Sequence, residues 1–523
     1  MVNVALSDMI IKFTFTVVIL ALSQVPFCLM LPRDPLDKPN IIILVADDMG
    51  YGDLSSYGHP TQESGPIDRM ALEGIRFTQW YSPESVCTPS RGATLTGRLP
   101  VRVGLYGPYE RVFIPHMPTG LPKNEITIAE ALKDVGYATG MNGKWHLGIN
   151  EFRFDDGNHL PAHHGFDEVG TIAPFTHHAR CDEEKKIVSS PEKSYCFFYS
   201  NDTIIQQPAA HHNITKTLVY ETKAFIYNHE NEPFFYMLNF LHLHDSLFAG
   251  PEFQASSKRG EYGDNLNEMS WAVGEILDTL RKLEIEKNTL VLFISDHGGH
   301  IEICSDGGKN SPFRGSKETT WEGGFRVPAI AWWPSMIEGA TVSRDIVSSL
   351  DIFSTALDLA GAPIPSDRVI DGISLKEHFL SSGRTPHSRE VIHYYCSDRL
   401  MAIRHRDYKA HFYSKPKISL DIYSSLCYEG WPSARSYSCY GCHVPCIQSH
   451  ELTPLLFNLE RDPGELYPLK SRKHKKYLHQ IWQERDDHIK NLVKGEPLFT
   501  EPATMLLPCC NPPYCFCNYS QDQ

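Results

Sequence analysis

A single cysteine lies where the sequence predicts the first turn of a helix. Residues 85–98 read SVCTPSRGATLTGR, with Pro89 two positions after Cys87. Proline favours the first turn of a helix, where exposed N–H groups attract anions and lower the pKa of a thiol. The segment is therefore a candidate for a nucleophile or an anion site. Taken alone, a buried or disulfide-bonded cysteine is the more common outcome.

Three aspartates follow apolar runs that are typical of buried strands. The run NIIILVA, Asn40–Ala46, precedes Asp47 and Asp48, and a second run from 288 to 295 precedes Asp296. Strands buried on both faces are typical of parallel sheets, and ligands of such sheets gather beyond the carboxyl ends of the strands. We therefore expect the three carboxylates to meet, as hard donors that suit a cation such as calcium.

The elements around these residues alternate between strand and helix. A capping box at 127–130 predicts a helix start, a short strand follows at 137–141, and apolar residues between 269 and 283 share one helical face. This alternation predicts an α/β sandwich over residues 38–390. Short β-like runs at 400–413 and 455–459, a charged helix from about 471 to 493 and a cysteine-rich tail predict a smaller subdomain over residues 391–523.

Composition and the first residues indicate an exported globular protein. The chain has 523 residues and a net charge of −14, so its bulk field does not favour nucleic acid or an anionic membrane. Residues 1–30 resemble a secretory signal peptide. A retained signal anchor ranks second, because Gln24 and Pro26 interrupt the apolar run. Protonation of the 25 histidines would remove the negative charge in an acidic compartment.

Cysteine usage also points to export. There are 14 cysteines, nine of them in the last quarter of the chain, and in an exported protein such a cluster predicts disulfides. The alternative is a zinc site around 439–446, where three cysteines lie near His443. Sequons predict glycosylation at Asn201, Asn213 and Asn518.

The segment around Cys87 resembles the signature of the sulfatase family, C-x-P-S-R followed by L-T-G-R. Further blocks follow the family's order: DDMGYGD at 47–53, GKWHLG at 143–148, HLH at 242–244, SDHG at 295–298 and GSK at 315–317. Other strings, such as IIQQP at 204–208, are similar to the animal arylsulfatase and steryl-sulfatase group. Only a charged segment stands between Cys181 and Cys196, where steryl sulfatases carry a membrane hairpin, so no transmembrane span is expected in the mature chain.

This resemblance implies a fold and a reaction. The fold is an alkaline-phosphatase-like α/β sandwich, with a large mixed, mostly parallel sheet between helices and a short antiparallel sheet in the C-terminal subdomain. The reaction is hydrolysis of sulfate monoesters by a formylglycine hydrate, which a formylglycine-generating enzyme makes from Cys87, with one divalent metal, expected to be calcium. The substrate would be a small-molecule, glycan or lipid sulfate ester, in a lysosomal or secreted protein whose oligomeric state stays open.

The resemblance also implies roles for individual residues. The metal ligands are Asp47, Asp48, modified Cys87, Asp296 and His297. The residues that act on the ester are Lys144 and Lys317 as sulfate clamps, His244 at the leaving-group oxygen, His146 as the base for the second hydroxyl, Arg91 as the group that orients the hydrate, and Thr176 near a sulfate-contacting hydroxyl.

One position departs from the family's pattern. Many sulfatases have asparagine as the fourth metal ligand, or glutamine in the steryl branch, whereas this chain has His297. An imidazole suits softer metals better than calcium. A weakly active or non-catalytic sulfatase-fold protein therefore stays an alternative. A phosphate ester hydrolase of the same superfamily is another, although it would favour a Thr or Ser nucleophile and two metals.

Overall fold

Eleven strands form one large sheet in the part of the chain that the computed structural model describes, which is residues 38–108, 111–175, 196–415, 427–428, 431–432, 442, 446–512, 515 and 517. The strands are β1 Asn40–Ala46, β2 Ile75–Tyr81, β3 Ala138–Lys144, β4 Glu168–Ala173, β5 Phe198–Ser200, β6 Thr203–Gln206, β7 Phe234–Asn239, β8 Thr289–Ser295, β9 Arg326–Trp332, β10 Thr341–Ser343 and β11 Val347–Ser348.

The sheet is mixed and mostly parallel. Its order is β10-β2-β9-β8-β1-β7-β3-β4-β5-β6, and β11 also pairs with β2. The central strands β8, β1, β7, β3 and β4 run parallel to one another, while β9 and the β5–β6 hairpin are antiparallel to their neighbours. The predicted α/β sandwich of the alkaline-phosphatase-like type is therefore confirmed.

Helices cover both faces of this sheet. They are α1 Pro66–Glu73, α2 Cys87–Thr96, α3 Pro100–Val103, α4 Ile128–Lys133, α5 Ile214–Asn228, α6 Glu261–Lys282, α7 Glu322–Phe325, α8 Asp351–Ala360, α9 Lys376–Leu380 and α10 Lys475–Asn491. Alternate residues of β1 face opposite sides, as the pleat requires. Ile41 and Ile43 pack with α2, α4 and α8, whereas Ile42 and Leu44 pack with α1, α5 and α6. This double burial explains the continuous apolar run of β1.

A smaller antiparallel sheet follows the large one. Its order is β12-β13-β14-β19, formed by Val391–Cys396, Arg399–His405, Tyr408–His411 and Leu455–Asn458. Short pairs β15–β18 (Tyr413–Ser414 with Gln448–Ser449) and β16–β17 (Cys427–Tyr428 with Trp431–Pro432) lie outside it. Helix α10 packs on this sheet through Ile481 and Trp482. The predicted boundary near 390 and the signal peptide stay predictions, and the latter lies outside the described residues.

Local predictions are mostly confirmed. The capping box is present, because the Thr127 hydroxyl accepts from the Glu130 N–H at 3.1 Å and the Glu130 carboxylate accepts from the Thr127 N–H at 2.7 Å. The predicted strand at 137–141 extends to Lys144. The predicted β-like run at 400–413 is divided among β13, β14 and the start of β15, and the first division occurs because the chain turns at Arg406, whose φ is +52°.

Cysteines tie down the C-terminal part. Disulfides join Cys396 to Cys442, Cys509 to Cys515 and Cys510 to Cys517. Cys446 is also disulfide-bonded. The zinc alternative is therefore wrong for Cys442 and Cys446, because an oxidised sulfur has no thiolate to offer a metal. Among the described residues, no helix has both the length and the apolar character to cross a bilayer.

Candidate active site

Cys87 is the first residue of helix α2 and is 2% exposed. Its Sγ lies 3.3 Å from Lys144 Nζ, 3.3 Å from His297 Nε2 and 3.7 Å from Asp47 Oδ1. Burial alone would raise the pKa of the thiol, but the ammonium groups of Lys144 and Lys317 lower it below its usual value. Within the described part of the chain, Cys87 is the one free cysteine.

Asp47, Asp48 and Asp296 meet at the carboxyl edge of the sheet, as predicted. Strands β1 and β8 pair so that Ala46 lies opposite Ser295, which brings the following acids to one level. The Asp48 N–H donates to Asp296 Oδ1 at 3.2 Å. Asp48 has a φ of +58°, a left-handed conformation that is uncommon outside glycine and clusters at functional sites. The chain therefore turns sharply where β1 reaches the site.

Two cations hold the inner carboxylates. Lys144 ends β3, and its Nζ lies 2.5 Å from Asp47 Oδ2. The Arg91 guanidinium, one turn into α2, lies 2.8 Å from Asp296 Oδ2 and 3.5 Å from Asp47 Oδ1. Burial alone would raise the pKa of the Asp47 carboxyl, but Lys144 and Arg91 hold it well below its usual range. The Asp47 carboxylate is therefore ionised.

A second set of contacts lies around Asp48. Lys317 Nζ lies 2.8 and 2.9 Å from the two Asp48 oxygens and 2.9 Å from His244 Nε2. Against the effect of burial, Lys317 and His244 lower the pKa of Asp48 to about 2. His244 Nδ1 lies 2.6 Å from Asp245 Oδ1. Burial and the ammonium group of Lys317 disfavour a charged ring, yet Asp48 and Asp245 raise the pKa of His244 to about 9, so the ring carries a proton that it can donate.

The sequence analysis did not single out Asp245. Its only signal was its position directly after His244 in the string HLHD. An acid next to a histidine in sequence does not have to touch it, so adjacency alone could not assign the contact.

His297 completes the acidic cluster. Its Nδ1–H donates to the Gly298 carbonyl at 3.0 Å, so Nε2 faces inward, 3.3 Å from Asp48 Oδ1 and 3.6 Å from Asp296 Oδ1. Burial disfavours a charged imidazole, yet Asp296 and its anionic neighbours raise the pKa of His297 to about 9. The local potential at Nε2 therefore favours a cation.

This potential and these donor atoms fit a metal cation. Asp47, Cys87, Asp296 and His297 each offer one ligand atom, and these atoms lie within 4.8 Å of one another. Two carboxylates, a thiol and an imidazole thus converge, with Asp48 Oδ1 3.3 Å from the His297 Nε2 atom, and such donor sets bind divalent cations in proteins. The structure therefore brings the predicted ligands together.

His146 lies just beyond β3 and is held by its backbone and by its ring. Its φ is +60°, its N–H donates to the Pro174 carbonyl at 3.0 Å, and its carbonyl accepts from the Thr88 hydroxyl at 2.8 Å. Its Nε2 lies 3.0 Å from the Phe113 carbonyl, which can only accept, so Nε2 carries a proton. Burial and the nearby Lys144 hold the pKa of His146 well below its usual value, so the ring is neutral.

Aromatic and apolar residues line the approach to this cluster. A narrow cavity above Asp47 and Lys144 is bordered by Phe175, Leu241, His244 and Phe248 among the described residues. Thr176, a predicted contact residue, lies outside the described residues, as does the sequon at Asn518. Asn201 is exposed between β5 and β6, and Asn213 is half-buried at the start of α5.

Two known protein families together match nearly the whole described chain. Residues 39–362 match the family described as Sulfatase, and residues 387–518 match the C-terminal region of aryl-sulfatase. The first match covers both strands that carry the aspartates, the segment around Cys87 and the segment around Lys317.

Individual relatives agree with these matches. An arylsulfatase of Hemicentrotus pulcherrimus is 49% identical over 93% of this chain and 88% of its own length. A steryl-sulfatase of Rattus norvegicus is 36% identical over 86% of this chain and 88% of its own length. The crystal structure of a sulfatase from Pseudoalteromonas sp. superimposes with a TM-score of 0.73 at 27% identity, over 88% of this chain and 92% of the other.

Proposed function

The chain belongs to the sulfatase family and is a sulfate ester hydrolase of the arylsulfatase type, and from this premise we propose that its nucleophile is a formylglycine hydrate made from Cys87. The isolation of Cys87 supports this most directly. Its thiol is buried at a helix start, whereas the other cysteines with described side chains are in disulfides. A formylglycine-generating enzyme would act on the segment 87–91 during maturation.

The hydrate solves a chemical problem that a simple hydroxyl leaves. One geminal hydroxyl attacks the sulfur, the bond from sulfur to the alcohol oxygen breaks, and the alcohol leaves with a proton. The second hydroxyl then loses its proton, the aldehyde C=O re-forms, and sulfate leaves as the C–O bond breaks. Water restores the hydrate. A serine at position 87 lacks the second hydroxyl and would stop at the sulfated stage.

Two histidines supply the proton transfers in this proposal. His244 donates to the leaving alcohol oxygen, and its contacts with Lys317 and Asp245 fix the ring beside the cavity. His146 accepts the proton of the second hydroxyl, and its neutral state suits a base. Arg91 orients the hydrate through its contacts with Asp296 and Asp47. Thr176 stays a proposed substrate contact.

Lys144 and Lys317 are the proposed sulfate clamps. Both ammonium groups reach into the cluster, at Asp47 and at Asp48. Lys144 is 1% exposed and Lys317 is half-buried. When an anion binds between them, the two ammonium groups lose little contact with water, and each gains a charge-assisted hydrogen bond. Preorganised cations in such a dry site are worth more than in water.

We propose that one calcium ion binds Asp47, Asp48, Asp296, His297 and an oxygen of the residue-87 hydrate. Held by these residues, the ion would supply Lewis acidity that favours ionisation of a geminal hydroxyl and would offset the charge of the sulfate. The charge balance favours it. Three carboxylates offset Lys144, Lys317 and Arg91, and a divalent cation would add positive charge that attracts a sulfate ester anion.

His297 favours a second candidate, a sulfatase with a weak or altered metal preference. An imidazole nitrogen is a poorer partner for calcium than an amide oxygen. Metal analysis of the purified protein and of His297→Asn separates the two. Tighter calcium retention in His297→Asn supports the weak-site candidate, and equal retention removes it.

The cavity supports an aromatic or apolar alcohol as the leaving group. Phe175, Leu241 and Phe248 offer an apolar wall, which shares the cavity with the polar residues His211, Asp245 and Ser246. The disulfides indicate the secretory pathway, and we propose a lysosomal or secreted protein with a glycan at the exposed Asn201. Asn213 and Asn518 stay predicted acceptors.

Mass spectrometry of the tryptic peptide from Phe77 to Arg91 tests the nucleophile. We expect formylglycine at position 87, hydrolysis of an aryl sulfate, and at least a hundredfold preference over the matched aryl phosphate, because of the single metal set and the lysine clamps. An unmodified thiol in active protein would refute the mechanism. A preference for the phosphate would favour the phosphate ester hydrolase instead. A modified residue 87 without any turnover would favour a non-catalytic protein.

A further inference from the structure

One hydroxyl connects the nucleophile segment to the proposed base. Thr88 follows Cys87 in helix α2 and is fully buried. Its Oγ1 donates to the His146 carbonyl at 2.8 Å and accepts from the Phe113 N–H at 3.1 Å. Phe113 in turn accepts from His146 Nε2 through its carbonyl at 3.0 Å. Thr88, Phe113 and His146 therefore form a closed ring of three hydrogen bonds.

This ring fixes the part of His146 that matters for proton transfer. The backbone of His146 is left-handed, with φ of +60°, a conformation that persists only where surrounding contacts impose it. The Phe113 carbonyl takes the proton of Nε2, so Nδ1 is the basic nitrogen of the neutral ring. The orientation of Nδ1 therefore depends on the position of Phe113, and Thr88 fixes that position.

We infer that Thr88 is a positioning residue for His146, and that its hydroxyl sets the rate of the second half of the reaction, in which sulfate is expelled. The inference rests on the proposed function, since it needs the hydrate at position 87. In that step the remaining hydroxyl gives its proton to His146 Nδ1, the C=O bond forms, and the C–O bond to sulfate breaks. Attack on sulfur does not use His146.

The C-terminal part supports the same ring from outside. Phe499 packs edge-to-face on Phe113 with ring centroids 5.1 Å apart, and it is 1% exposed. Its backbone is anchored, because the Phe499 N–H donates to the Tyr106 carbonyl at 3.2 Å. Phe499 thus offers a second way to loosen Phe113 without a change in the nucleophile segment.

The role predicts a kinetic pattern that general destabilisation does not produce. When only the second step slows, kcat and KM fall together and kcat/KM changes little, because kcat/KM reports the steps up to the first irreversible one. The sulfated hydrate then accumulates. An aryl sulfate with a coloured alcohol shows this as a burst that approaches one alcohol per formylglycine.

Thr88→Val removes the hydroxyl at nearly constant shape, and Thr88→Ser keeps it. Thr94→Val is the matched control, since Thr94 is also buried in α2 but donates to the Ser90 carbonyl. Rates are normalised to the formylglycine content of the Phe77–Arg91 peptide. We expect kcat and KM of Thr88→Val to fall about 10-fold to 100-fold together, since small misplacements of a catalytic group cost that much. Thr88→Val should also show the burst, whereas Thr88→Ser, which keeps the hydroxyl, should not.

The outcomes are distinct. A Thr88→Val protein that matches Thr94→Val at equal formylglycine content, or one whose kcat/KM falls as much as its kcat, overturns the positioning role. Absence of formylglycine from the active unsubstituted protein overturns the proposed function instead. If Thr88→Val does not fold, Phe499→Leu decides: a smaller parallel fall in kcat and KM with a burst supports the role, and unchanged kinetics refutes it.

Discussion

Two buried histidines predict that the protein loses stability as the pH falls. His164 is fully buried and His159 is 6% exposed, and their rings stack with centroids 6.5 Å apart. Burial, with help from Lys123, lowers the pKa of His159 to about 4 and that of His164 to about 3. Both ring nitrogens of His164 lack a hydrogen-bond partner among the described residues. The folded state therefore holds this ring neutral.

The sign and size follow from linkage. A histidine in the unfolded chain has a pKa near 6.5. Below that pH the unfolded state therefore binds protons that the folded state does not bind. The stabilisation is complete above about pH 6.5 and is lost as the pH falls towards the folded pKa. Between pH 7 and pH 5 each histidine lowers the free energy of unfolding by about 2 kcal/mol, and the pair lowers it by about 4 kcal/mol.

His164→Leu tests this with a side chain of similar size that does not titrate. Urea unfolding under non-reducing conditions, followed by tryptophan fluorescence at pH 7 and pH 5, gives the free energy of unfolding. We expect the variant to lose about 2 kcal/mol less than the unsubstituted protein over this range. His479→Leu, at an exposed site on α10, is the control and should not change the loss. Equal losses in His164→Leu and the unsubstituted protein would refute the reasoning.

Three further predictions address the structure beyond the nucleophile. Lys409→Met should reduce the free energy of unfolding by about 3 to 5 kcal/mol in the same urea assay. The buried Lys409 Nζ lies 3.0 Å from Glu322 Oε1 and 3.1 Å from Glu465 Oε1, so its loss leaves two buried carboxylates without their cation. A stability equal to that of the unsubstituted protein would contradict this. Asn201→Gln should remove one glycan from secreted protein on a glycosidase gel shift, and an unchanged shift would exclude that acceptor. His297→Ala should lower bound divalent metal by at least about tenfold in mass spectrometric metal analysis, whereas unchanged binding would remove His297 from the ligand set.

The sequence was sufficient to predict that the acids after the two buried strands meet at one edge of the sheet. Asp47 and Asp296 follow apolar runs long enough to be buried strands, and parallel strands end at one edge, so topology alone brings the acids together. The pairing of Ala46 with Ser295 shows this registration. Cys87 was placed by the helix-start pattern around Pro89. These predictions succeeded because each depends on local pattern and on a general property of α/β sheets.

Other features of the site depend on contacts that no local pattern encodes. The left-handed turns at Asp48 and His146 occur in non-glycine residues, where neither position has a compositional signal. The Phe113 carbonyl orients His146, yet any residue could supply that carbonyl. Asp245 meets His244 only because of the backbone path between them. Such contacts are set by tertiary packing, and sequence periodicity carries no information on them.

The C-terminal part contributes to the active site although it holds none of the proposed catalytic groups. Lys409 of β14 pairs with Glu322 of α7, only a few residues after Lys317. Phe499 packs on Phe113, whose carbonyl holds His146. The contact of Phe499 with Phe113 is buried, so a change in the C-terminal part reaches His146 through packed contacts rather than through solvent. We therefore expect substitutions there to change kcat as well as stability, and a truncation after the large sheet to lose activity even where the first 390 residues fold.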